Sequence, residues 1–184
     1  MKMKKTSLEI LDISFRYIIL LVVGLFFIKY LYTIFTPITL YPVYFILSLF
    51  FNVSINGVKI ILPNTSIELI NACIAGSAYY LLLMLNLSTA KIKIIKRFYL
   101  LLFLFLSFLI LNIARILILI FLINTNSQFF DFTHKAFLYL FSFIFVVGIW
   151  FLGAMIFKIK SVPFISDIKL IYKSSSLKKL FVKQ

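Results

Sequence analysis

The sequence predicts an all-α polytopic membrane protein, a bundle of about five hydrophobic helices with a small surface β-hairpin near residues 53–62. Three observations predict it. Hydrophobic residues make up 64% of the 184 residues and charged residues only 13%, about half the charged share of a soluble domain. Apolar runs long enough to cross a bilayer recur along the chain. The basic residues sit in short clusters between those runs. Such a chain has too little polar surface to cover a water-soluble fold. A soluble enzyme, a nucleic-acid-binding domain and a disordered segment are thereby excluded.

The elements follow in order. Residues 13–35 form the first apolar run, broken by Arg16, Gly24 and Lys29. At ~1.5 Å per residue it can cross ~30 Å of hydrocarbon. Pro37 is expected to end it. Residues 38–51 carry Pro42 and are short for a full span, which suggests a tilted or re-entrant helix, or a helix that begins before residue 38. Residues 52–63 alternate around Asn56-Gly57. Asn-Gly is the strongest short hairpin signal, because a type I′ turn needs two positive φ angles. Asn64-Thr65-Ser66 offers helix caps, and the next helix is expected over residues 67–87. A basic cluster follows at Lys91, Lys93, Lys96 and Arg97. Residues 98–123 are the longest apolar run, interrupted by Asn112 and Arg115. Residues 124–135 read as a polar loop and 136–157 as the last span. Residues 1–157 are thus expected to form one membrane-embedded domain, and 158–184 a basic cytoplasmic tail. The opening Met1-Lys2-Met3-Lys4-Lys5 resembles the start of a signal peptide. The run after it is too long for one, and no small-residue cleavage site closes it.

Topology follows from charge. The net charge is +14. Fifteen of the nineteen Lys and Arg residues fall at the amino terminus, in the middle cluster or in the tail. The positive-inside bias places those three regions in the cytoplasm. The hairpin and the loop before Lys135 then face outward. An inside amino terminus and an outside hairpin require an odd number of crossings before residue 52, whereas two apolar runs are visible there. A re-entrant second run is the preferred resolution; an outside amino terminus is the alternative.

Three chemically notable residues then fall at one depth. Cys73 lies about two turns into a helix entering from the outer face. Arg115 is roughly 12 Å from the outer end of its helix. His134 stands just before the last span. A lone Cys in an apolar helix is more often packing than nucleophile, and a His in such a loop is usually solvated. Arg115 is different, because an arginine within an apolar run costs several kcal/mol unless it faces protein, water or a partner. Asn112, three residues earlier, shares its helix face and is placed to orient the guanidinium or line the same recess. Together the trio suits acyl transfer. Cys73 is the nucleophile, His134 the acid and base, and Arg115 the stabiliser of thiolate or oxyanion. The small residues Ala75, Gly76, Ser77 and Ala78 would admit close approach of a substrate helix. A single Cys and a single His argue against disulfides and metal sites, so no cofactor is expected.

These residues carry a family resemblance. Asn71-Ala72-Cys73-Ile74-Ala75-Gly76 resembles the Cys motif of the exosortase/archaeosortase family, and Asn112-Ile113-Ala114-Arg115-Ile116 resembles its Asn-x-x-Arg helix. His134 occupies the place of the third catalytic residue, and the hairpin before the Cys helix also fits. The similarity covers residues 52–157. The small size and the Thr36-Pro37-Ile38-Thr39-Leu40-Tyr41-Pro42 segment look like the compact archaeal branch called pacearchaeosortase. One departure is Ile74-Ala75-Gly76, where many relatives have Ser-Gly directly after the Cys. The resemblance implies a membrane-embedded cysteine transpeptidase of the cell membrane, with its site on the extracytoplasmic side. Its substrates would be exported proteins with a carboxy-terminal hydrophobic helix and basic cluster, and its acceptor a lipid. It further implies Cys73 as nucleophile, Arg115 as transition-state stabiliser and His134 as acid/base. Two other readings stand beside it. One is a non-enzymatic membrane subunit that binds an anion or lipid headgroup through Arg115. The other is a hydrolase that cuts without transfer.

Overall fold

The computed structural model describes residues 2–63, 65–89, 92–125, 127–137 and 142–159. Their order is α1 (Lys2–Ser48), β1 (Ser54–Asn56), β2 (Lys59–Ile61), β3 (Ser66–Glu68), α2 (Asn71–Ile74), α3 (Gly76–Ser88), α4 (Ile94–Asn124), α5 (Phe130–Lys135) and α6 (Ser142–Ile156). The expected tail beyond residue 159 and the start of the last span at 138–141 lie outside the described residues. Among the described residues, three stretches are long and apolar enough to cross a membrane: Phe26–Ser48, Asn71–Ser88 and Ile94–Asn124. The apolar α6 is shorter, at 15 residues.

The two amino-terminal apolar runs are one helix. Pro37 and Pro42 lie inside α1 and end nothing. A proline forfeits one backbone bond, whereas ending a helix in hydrocarbon would strand several polar groups. Two threonine hydroxyls near Pro37 bond back to their own helix: Thr36 Oγ1 donates to the Tyr32 carbonyl at 2.7 Å, and Thr33 Oγ1 to that of Lys29 at 3.1 Å. The re-entrant segment is therefore absent, and the other reading of residues 38–51, a helix that begins before residue 38, is the one that forms. A single helix precedes the hairpin, so the parity conflict raised by the charges disappears.

The hairpin forms with Ile55 opposite Ile60 and Asn56 opposite Lys59. Its loop is Gly57-Val58, and Gly57 alone has a positive φ, 62°. A type I′ turn would need two such residues; a II′ turn needs glycine at the first loop position only. The sheet also has a third strand where a helix start was expected. β3 pairs antiparallel with β2, placing Ile67 opposite Ile60 and Glu68 opposite Lys59. Ser66 and Glu68 are exposed while Ile67 turns inward, the period of two that defines a strand. An ion pair of 3.1 Å between Lys59 Nζ and Glu68 Oε2 spans the two strands. The helix accordingly starts at Asn71, four residues later than expected.

α3 runs back along α1, and two tyrosines lock them reciprocally. The Tyr80 ring occupies the space above Gly24, and the Tyr32 ring the space above Gly76. Beyond this joint, Tyr79 stacks on Phe35 at 3.6 Å between centroids and meets Phe105 and Phe108 edge-on. These rings join α1, α3 and α4 in one core. α6 packs on α4 where Gly153 lies against Leu100 and Leu104.

Arg97, predicted only as a topological charge, caps the far end of α3. Its guanidinium donates to the carbonyls of Asn86 (2.7 Å), Leu87 (2.8 Å) and Thr89 (2.9 Å). Asn86 Nδ2 returns a bond to the Arg97 carbonyl at 3.0 Å. A cation is favoured at a helix carboxy terminus, where carbonyls have no helical partner. Arg97→Ala is expected to destabilise the fold by about 2 to 4 kcal/mol, the range for several charge-assisted bonds to half-buried carbonyls. A thermal midpoint measured on the purified chain in detergent checks this, and Arg97→Lys should recover part of the loss.

Candidate functional site

The site is built on an interrupted helix. α2 is a single turn, Asn71–Ile74, and the chain then breaks at Ala75, which adopts the left-handed conformation with φ 56° and ψ 40°. That conformation costs a non-glycine residue roughly 1–2 kcal/mol. In an unbroken helix the carbonyls of Ala72 and Cys73 would accept bonds from residues 76 and 77. The break turns them loose beside α4.

Two polar side chains of α4 take those carbonyls. Asn112 Nδ2 donates to the Cys73 carbonyl at 2.8 Å, and Arg115 Nη2 to the Ala72 carbonyl at 3.4 Å. Asn112, Arg115, Ile116 and Leu119 are all buried, as the i, i+3, i+4, i+7 face of a helix requires. Asn112 is 2% exposed and Arg115 5%, so the guanidinium is held inside protein rather than presented to lipid. Its Nη1 reaches Ser142 Oγ at 3.4 Å, at the start of α6. Arg115 Nε and Asn112 Oδ1 are buried without a hydrogen-bond partner. Among the described residues no carboxylate pairs with this arginine. Cys73 itself is half-buried, with exposed Asn71 and Ala72 before it. Its thiol lies within electrostatic range of the Arg115 guanidinium.

The structure thus brings together Cys73, Asn112 and Arg115, three of the five residues singled out by sequence. His134 occupies α5, which packs against α4. Its imidazole meets the Phe130 ring edge-on at 5.5 Å between centroids. Among the described residues it makes no hydrogen bond or ion pair, so the contacts linking the other three do not extend to it. Gly76 is buried, and its missing side chain is replaced by the Tyr32 ring. The close approach it permits is made by this chain's own α1. Ser142 was missed altogether, since a serine in an apolar run carries no spacing signal. Among the described residues no three His, Cys, Asp or Glu side chains gather to hold a metal.

A cation that is held by neutral acceptors and has no carboxylate partner among the described residues can stabilise negative charge on a nearby sulfur or on an adjacent oxygen, the more so where water is scarce. Asn112 fixes the backbone that carries the thiol. Comparison with protein-family models, curated proteins and solved structures returned no match.

Replacing Asn112 tests the grip on the broken turn. Asn112→Leu should leave the Cys73 carbonyl unsatisfied and cost about 1–3 kcal/mol. The measurement is the thermal midpoint, together with proteolytic nicking around residues 71–76. An unchanged midpoint with no new nicking would show that the turn holds without this bond.

Proposed function

We propose that the chain is a multi-pass cysteine transpeptidase of the exosortase/archaeosortase type, acting at the extracytoplasmic face of the membrane on exported proteins with a carboxy-terminal hydrophobic helix and basic cluster. The observation that carries this reading is the half-buried Cys73 thiol near a buried guanidinium that no carboxylate neutralises among the described residues. The positive-inside charge pattern supports the orientation, because the middle basic cluster and the Cys73 turn lie at opposite ends of α3.

The chemistry runs in two transfers. His134 accepts the Cys73 proton, and the thiolate attacks the scissile carbonyl. Arg115 stabilises the oxyanion that forms. The carbon–nitrogen bond then breaks, and the imidazolium returns its proton to the departing amine, leaving a thioester on Cys73. A lipid nucleophile gives its proton to His134 and attacks the thioester, and the thiolate is released. Catalysis requires His134 to approach the thiol from its place in α5, so closure of that segment on substrate belongs to this mechanism.

A second reading has its own observation. The unpartnered Arg115 Nε suits an anion or lipid headgroup held by a subunit without enzymatic activity.

In cells carrying the full chain, mapping the carboxy termini of membrane-anchored proteins should show a set of tails removed. Cys73→Ala should abolish their removal. Arg115→Ala should reduce it by about a hundredfold or more, the usual cost of losing an oxyanion donor, and His134→Ala should also block it. Unchanged processing in the Cys73→Ala strain at equal protein level would end the enzymatic reading. A lipid mass on the new terminus denotes transfer, and a free carboxylate denotes hydrolysis.

A further inference from the structure

We propose that Ser142 is a positioning residue that fixes the plane of the Arg115 guanidinium and ties the segment following His134 to the thiol site. This rests on the reading that the Arg115 charge acts on Cys73. The hydroxyl of Ser142 has one proton and two acceptor lone pairs. It donates to the Phe137 carbonyl at 2.6 Å. That short bond commits the proton, so the lone pairs are what remain for Arg115 Nη1 at 3.4 Å.

The consequence for Arg115 is rotational. Its two terminal nitrogens are anchored on different elements, Nη2 on the Ala72 carbonyl of α2 and Nη1 on Ser142 of α6. With one anchor the group pivots; with two its plane is set. The consequence for the chain is connective. Phe137 lies three residues beyond His134 in sequence, so one hydroxyl joins the exit of α5, the start of α6 and the buried cation of α4. Loss of that hydroxyl would remove one of the two anchors of the guanidinium and, at once, one tie to the segment that follows His134. An alanine there keeps the helix start yet leaves both the Phe137 carbonyl and Nη1 without this partner.

Cys73 is the chain's sole cysteine, so thiol modification of the intact protein reports on this one position. The test uses two methanethiosulfonates of opposite charge, the sulfonatoethyl and trimethylammonium-ethyl reagents, on the full chain in detergent. A fixed cation near the sulfur favours the anionic reagent over the cationic one. A general loosening of the fold alters both rates together and leaves their ratio unchanged.

Arg115→Ala should lower the anionic-to-cationic rate ratio by about tenfold, as removal of one nearby charge at intermediate dielectric implies. Ser142→Ala should lower it by about threefold or more through displacement of that charge, while Ser142→Thr retains the wild-type ratio. Ser142→Val, nearly isosteric with threonine, should behave like alanine and controls for packing if the alanine variant folds poorly. A wild-type ratio in both Ser142→Ala and Ser142→Val, or a threonine variant that fails to retain it, would overturn the role of Ser142. Should Arg115→Ala itself leave the ratio unchanged, the coupling of arginine to thiol fails, and the mechanism above with it.

Discussion

The arrangement depends on how one buried cation is kept out of lipid. Arg115 sits in the carboxy-terminal third of the long apolar helix α4, where an unshielded guanidinium would be costly. No carboxylate compensates it among the described residues. Backbone carbonyls and a serine hydroxyl do so instead. Carbonyls become available in a bundle only where a helix breaks or ends, since the interior of a helix uses them internally. The left-handed Ala75 supplies that break. Strain at one residue, exposure of two carbonyls and burial of Arg115 are therefore parts of a single construction. The thiol is carried on the short turn that this construction suspends.

Much of this was legible in the sequence, for identifiable reasons. Arg115 stood out because charge within an apolar run has few acceptable environments, and the Asn112 spacing placed it on the same face. Gly57 announced the hairpin because a tight turn needs its φ. What was not legible depended on contacts between segments. Ser66-Ile67-Glu68 alternates over three residues only, too few to outweigh the capping signal of Asn64-Thr65-Ser66. Its pairing with β2, sealed by the Lys59–Glu68 bridge, decided for strand. Pro37 read as a stop because that rule comes from water, where a freed carbonyl finds solvent. In hydrocarbon the same residue is carried through.

Arg97 shows a related limit. Counted as a topological charge it is interchangeable with Lys91, Lys93 and Lys96. In the structure its fork reaches three carbonyls at the end of α3, a geometry lysine cannot reproduce. The two arginines of α4 thus clamp both ends of the same antiparallel partner. Arg97 holds the carbonyls where α3 finishes, and Arg115 holds that of Ala72 just before it begins. Sequence distinguishes them by hydrophobic context, but their common task emerges only once α3 and α4 lie side by side.

The reciprocal tyrosine–glycine joint between α1 and α3 has a mechanical corollary. Two pegs seated in two sockets resist sliding along the shared axis, because a displacement of even one residue would drive a ring into backbone. The height of the sulfur within the molecule is consequently set by steric gearing rather than by how well an apolar segment matches its surroundings. A bilayer that thickens or thins would tilt the whole bundle as a unit before it shifted the nucleophile relative to its neighbours.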